Sequence, residues 1–206
     1  MGASARRGGG AMRMRLLPVL CLSLGAACGP APAADSPARE DIFGAAGPGE
    51  FILLTATGEL VSAEFEPGRV LGPDVNVGVY PSDSGRGGQA VRGVAFNQAV
   101  SVTATGQGAT GVVGGMPLEL SVTRAETGLR ARGLVAGALS DYRLDERQLT
   151  GVIGRCSYEL TRSGRYYEGA RSCGGQPHQV TVLLPRGLSS WSDAALATTL
   201  GLLLGA

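Results

Sequence analysis

At 206 residues, the chain has room for one domain with appendages and for a core that removes roughly 70% of the unfolded surface from water. Its 34 glycines and 11 prolines beside only 5% aromatics exclude a fold of long helices and favour many short strands and turns. All 18 basic residues are arginine, against 17 acids and a single histidine, a net of +1; the missing lysine reads as codon usage.

In "MRMRLLPVLCLSLGAAC" (12–28), Arg13 and Arg15 precede an apolar run from Leu16 to Ala27. At 1.5 Å per residue that run is too short to span a bilayer but has the length of a secretory core, so 1–27 reads as a signal peptide. The small residues Gly25, Ala26 and Ala27 before Cys28 resemble the lipobox of bacterial lipoproteins, with Gly25 where that family usually has leucine or a branched residue. The resemblance implies acylation at Cys28 and a partnership with the membrane through that lipid, in the cell envelope. The alternative is a soluble secreted protein cleaved after Ala33, since "APA" (31–33) is an A-x-A-like site.

The stretch 28–49, rich in Pro, Ala and Gly, reads as a lipidated cysteine and flexible tether. Losing 1–27 removes four arginines and no acid, leaving 14 against 17, a net of −3. An exported, net acidic chain argues against nucleic acid and leaves envelope protein or polysaccharide as partners.

From 50 to 185 the pattern is an antiparallel β domain. Strand-like runs fall at 51–56, 59–65, 75–80, 91–96 and 99–105, divided by turn signals at 57–58, 67–68 and 97–98, with a loop over 81–89. "GQGATG" (106–111) matches a dinucleotide fingerprint, with Glu126 at the expected distance. The next residues, "VVGGMPLELSVT" (112–123), are strand-like rather than a helix N-terminus, so no cofactor is implied. Instead, "TGQGATGVVGG" (105–115) lines up with "TGLRARGLVAG" (127–137), and "GVVGGMPLEL" (111–120) with "GVIGRCSYEL" (151–160). Periods near 20 and 40 residues are those of one and two hairpins of a meander.

Further strands are expected at 117–124, 129–136, 140–144 and 149–154. "CSYELTRSGRYYEGARSC" (156–173) then forms a hairpin turning at Gly164-Arg165, whose opposed residues sum to 329. Cys156 and Cys173 face each other and form a disulfide in an oxidising compartment; two cysteines and one histidine make no zinc site. One face of the hairpin carries Tyr158, Arg162, Tyr167 and Arg171, with Tyr158 opposite Arg171 and Arg162 opposite Tyr167. Arginines among inward residues need a partner or ligand, which makes these four the candidate ligand or partner face.

His178 heads a last strand (178–184) with no catalytic motif around it, and the Asp145/Glu146 pair falls in a turn beside Arg147, where solvation accounts for it. No catalytic or metal site is predicted. In 186–206 a short helix capped by Ser189 or Ser190 is expected to pack on the β domain over one end or face. The fold class is therefore all-β, a barrel or sandwich of hairpins with one short C-terminal helix. The functional expectation is a non-enzymatic envelope lipoprotein acting as a structural or interaction module; the alternative is a small lipocalin-like barrel carrying an apolar or lipid ligand.

Overall fold

Alternating inward apolar and outward polar residues carry the chain through fourteen antiparallel strands in the computed structural model, which describes residues 42–43, 49–56, 58–82, 88–125 and 128–206. The strands are β1 (Glu50–Thr55), β2 (Gly58–Glu66), β3 (Arg69–Gly72), β4 (Val75–Pro81), β5 (Gln89–Ala95), β6 (Gln98–Thr105) and β7 (Gly108–Val113). They continue as β8 (Met116–Ala125), β9 (Gly128–Val135), β10 (Ala138–Asp145), β11 (Gln148–Ile153), β12 (Cys156–Ser163), β13 (Tyr166–Ser172) and β14 (His178–Leu183), ending in helix α1 (Asp193–Leu204). Each strand pairs with its sequence neighbour and β1 pairs with β14, so the sheet closes into a barrel. The predicted signal peptide, Cys28 and the tip of the 81–89 loop lie outside the described residues.

Two strands have no clear trace in the sequence. β3 is four residues between turn signals, too short to display a period, and β7 carries Gly108 and Gly111 within six residues, a composition that reads as turn.

The meander gives the barrel a near end, where β1 begins, and a far end with the turns that leave the odd-numbered strands. Charged residues such as Glu64, Glu119, Arg130, Arg132 and Glu159 stand exposed along the outer face, the reverse of the apolar band that faces lipid in membrane barrels. Close to the far rim the outside changes character: Val94, Val112, Met116, Leu139 and Val152 are exposed there. Cross-strand pairing sets Val94 beside Ala99, Val112 beside Pro117 and Leu139 beside Leu134.

The repeat has a physical basis. Gly93, Gly111, Gly133, Gly151 and Gly169 fall one to each odd strand from β5 to β13. A Cβ at any of them would lie 1.9 to 2.2 Å from a carbonyl oxygen of the preceding strand, so adjacent backbones approach too closely at these positions for a side chain. Two residues further on, each strand points a buried side chain inward: Ala95, Val113, Val135, Ile153 and then Arg171.

The helix stands inside the barrel. Ala194 to Leu204 are all buried, and the helix packs along the wall from β5 to β9. A helix apolar on every side belongs in an interior. Its N-cap is Ser192, whose Oγ accepts a hydrogen bond from Ala195 N at 3.1 Å, rather than the predicted Ser189 or Ser190. The segment before it leads from β14 back to the near mouth, where Trp191 is buried against Phe65 with ring centroids 5.4 Å apart.

Polar contacts then pin the helix along its length. At the near end Arg124 clamps Asp193 through Nε and Nη2, the Nε bond being 3.0 Å. Gln89 donates to Ser190 O and accepts from Ser192 N at 2.9 and 2.8 Å. In the middle Tyr142 donates to Ala197 O at 2.6 Å, and at the far end Tyr158 donates to Leu204 O. Part of the predicted tether is also docked: Ile42 and Phe43 are buried, and Phe43 O accepts from Leu188 N at 2.9 Å. They are the only bulky apolar residues of that stretch, and burial removes them from water.

The stapled hairpin has the predicted register, from Ser157↔Ser172 to Ser163↔Tyr166. Gly164 has φ +63°, as the first central residue of a type II′ turn requires. Cys156 and Cys173 are bonded, with an S–S distance of 2.03 Å and Cα atoms 4.0 Å apart. Closing a loop of this size stabilises by about 3 kcal/mol in the chain-entropy model. Replacing both cysteines by serine is expected to lower the unfolding free energy by that order, measured by urea titration.

Candidate functional site

The four residues singled out in the hairpin all point into the barrel, and the pairs Tyr158↔Arg171 and Arg162↔Tyr167 lie directly opposite each other. They share this inward face but do not form one cluster, because their positions along the strands carry them to opposite ends of the lumen.

At the near end Tyr167 donates to Asp145 O at 2.7 Å. Arg162 donates from Nε to Gly164 O at 2.9 Å and from Nη1 to Glu146 O at 3.3 Å. Asp145 is not a solvated turn residue, as its sequence context suggests, but is buried. Its Oδ1 accepts from Arg147 N and Gln148 N at 2.8 and 3.0 Å, while Oδ2 pairs with Arg143 Nε at 2.9 Å. A short turn that must reverse β10 into β11 presents backbone N–H groups that only such a side chain can satisfy locally. The near cluster is therefore an internally satisfied closure of the barrel.

The far end differs. The Arg171 guanidinium lies over the Tyr158 ring, 5.7 Å from its centroid, and Nη2 donates to the Ala206 carbonyl and to Cys156 Sγ, the latter at 3.3 Å. Arg171 is 8% exposed, and its Nε is buried without a hydrogen-bond partner. Beside it a cavity of about 340 Å³ opens between β13, β14 and the end of β1. Arg171, Cys173, Gln176, His178, Thr55 and Val180 contribute to its walls. A second cavity of about 380 Å³ flanks the helix C-terminus, bordered by Phe96, Gln98, Val135, Arg155 and Leu202. Phe96 and Ala136 adopt φ of +49° there, a conformation costly for a bulky side chain and held by packing against the core.

A signal in the sequence singles out Arg171 further. Aligned on the strand glycines, the repeats place an aliphatic residue two positions on in four copies, and arginine only in the fifth.

Burial raises the phenol of Tyr158 to about 12, against a smaller opposing pull from Arg171; burial raises Tyr167 to about 12 as well, opposed first by Arg162. Both folded values lie above that of an unfolded tyrosine, near 10. The neutral phenols therefore stabilise the fold fully below pH 10, and this contribution is lost as pH rises from 10 through 12. The urea midpoint is expected to fall across that window, while tyrosinate absorbance at these two residues appears only near its upper edge.

Among the described residues, no group of three or more His, Cys, Asp and Glu side chains is arranged to hold a metal ion. Comparisons with protein-family models, curated proteins and solved structures find no match to this chain.

Proposed function

We propose that the chain is a non-enzymatic, exported cell-envelope lipoprotein: an interaction module held to the membrane through acylated Cys28, meeting its partner outside the barrel rather than carrying cargo within it. The observation that carries this reading is α1, which occupies the space where a lipocalin-like carrier would hold an apolar ligand. A fully buried helix pinned by Arg124, Tyr142 and Tyr158 makes the lumen a core.

The partner surface in this reading is the far rim. Its exposed large apolar side chains, Val94, Val112, Met116, Leu139 and Val152, favour an envelope protein over polysaccharide. The barrel closure itself favours the carrier reading, which requires α1 to yield its place.

Metabolic labelling with an azido fatty acid tests the anchor. The full-length protein is expected to carry label and sediment with membranes, and Cys28→Ser to lose both. An unlabelled soluble chain beginning at Ala34 would establish secretion instead. A lipid that dissociates from the lumen in native mass spectrometry, with α1 displaced, would establish the carrier.

A further inference from the structure

We infer that the far-end cavity beside the disulfide is a binding site for a small organic carboxylate with an apolar body. The inference does not depend on the lipid anchor or the rim partner.

Three independent observations converge on it. First, Arg171 stands where four preceding repeats place Ala95, Val113, Val135 and Ile153, so packing at this height of the barrel asks for an aliphatic residue. Second, the arginine put there instead is more than nine-tenths buried, and its Nε has no partner. Leaving a charged donor unsatisfied is among the more destabilising things a fold can do, unless the donor is kept for a ligand. Third, Arg171 lines an open cavity of about 340 Å³, a volume at the small end of ligand sites.

The walls specify the ligand. Guanidinium N–H groups match carboxylate oxygens in geometry and charge, and Arg171 brings its guanidinium to the cavity wall. His178, directly across from Arg171 in the β13–β14 pairing, and Gln176 place further donors at the opening. Ala56, Val180 and the Cys173 sulfur give the remaining wall its apolar character, suited to a short alkyl or aromatic body. No acidic side chain is among the described wall residues.

The chain's single histidine makes the test clean. The imidazole resonances of His178 in the purified full chain would be monitored by NMR during titration with butyrate, and separately with butyramide, which has nearly the same shape without the charge. A saturable shift with butyrate below about 10 mM, at least tenfold weaker with butyramide, is expected. Arg171→Gln should weaken butyrate binding at least tenfold, and Arg155→Gln, at the neighbouring cavity, should leave it unchanged.

Because Arg171 also holds the Ala206 carbonyl, Arg171→Gln could disturb the fold. Ala56→Trp, on an exposed turn at the opening, serves as a second variant and should block binding while leaving the thermal midpoint in place. Absence of a saturable shift, equal binding of acid and amide, or undiminished binding in Ala56→Trp would each overturn the site.

Discussion

Leu200→Asp should leave no folded barrel under conditions where the parent chain is fully folded, and Leu200→Ala should cost about 3 kcal/mol. Leu200 sits in the middle of α1, completely buried, so truncation to alanine loses the transfer free energy of its side chain and opens a cavity, an effect of roughly 2 to 5 kcal/mol in comparable cores. Aspartate adds an ionised carboxylate with no cation beside it, since the clamp on Arg124 is already made by Asp193 one helix end away. An unpaired buried charge costs several kcal/mol more. Together the two effects match the roughly 5 to 15 kcal/mol that stabilises a typical domain. Urea titration with Trp191 fluorescence as the probe reports the alanine variant, and dye binding to exposed apolar surface reports the aspartate variant. If Leu200→Asp unfolds at the parent's urea midpoint, α1 does not occupy the lumen.

Gly133→Ala and Gly151→Ala are expected to destabilise by roughly 3 kcal/mol or more, far beyond the usual cost of a surface alanine. At Gly133 φ is +142° and an added Cβ would lie 1.9 Å from Glu119 O; at Gly151 φ is +120° and the approach to Asp141 O is 2.2 Å. Both effects act at once, a backbone conformation unfavourable for an L-residue and a clash with the backbone of the neighbouring strand. Since the obstructing atom is a carbonyl in the ladder, relief requires the two strands to separate. For a domain of this size the loss corresponds to a fall in Tm on the order of 10 °C. Gly106→Ala is the matched control: nothing lies within 4 Å of its Cβ position, and a change within about 0.5 kcal/mol is expected. Equal midpoints for all three variants would show that the strands do not approach so closely.

Period-two alternation is enough to pair the stapled hairpin residue by residue, because its turn and its cysteines fix the same register. Alternation also turns Tyr158, Arg162, Tyr167 and Arg171 inward, but it is blind to height along the strand. The separation of those four into two clusters is therefore visible only in three dimensions. β7 escapes the sequence for a different reason: Gly108 and Gly111 hide its strand character, although the match of 105–115 to 127–137 already pairs its inward Ala109, Gly111 and Val113 with Ala131, Gly133 and Val135 of β9. The helix is legible as a short helix packed on the β domain, expected over one end or face. Its place inside depends on the diameter of the barrel, which strand count and shear set together and no single segment encodes. Asp145 misleads because a charged turn residue looks the same in sequence whether it meets water or backbone N–H groups.

Thirteen of the fourteen strand pairings join consecutive strands, and only β1 with β14 joins distant parts of the chain, Thr55 meeting Val180. The meander can thus zip from hairpin to hairpin with little loop entropy lost, while the last pairing must wait for nearly the whole chain. Because α1 comes after β14, the helix must enter before or as that last seam forms. Closure and filling are in this way one kinetic event, and β1–β14 is the seam at which native-state hydrogen exchange should first reveal opening.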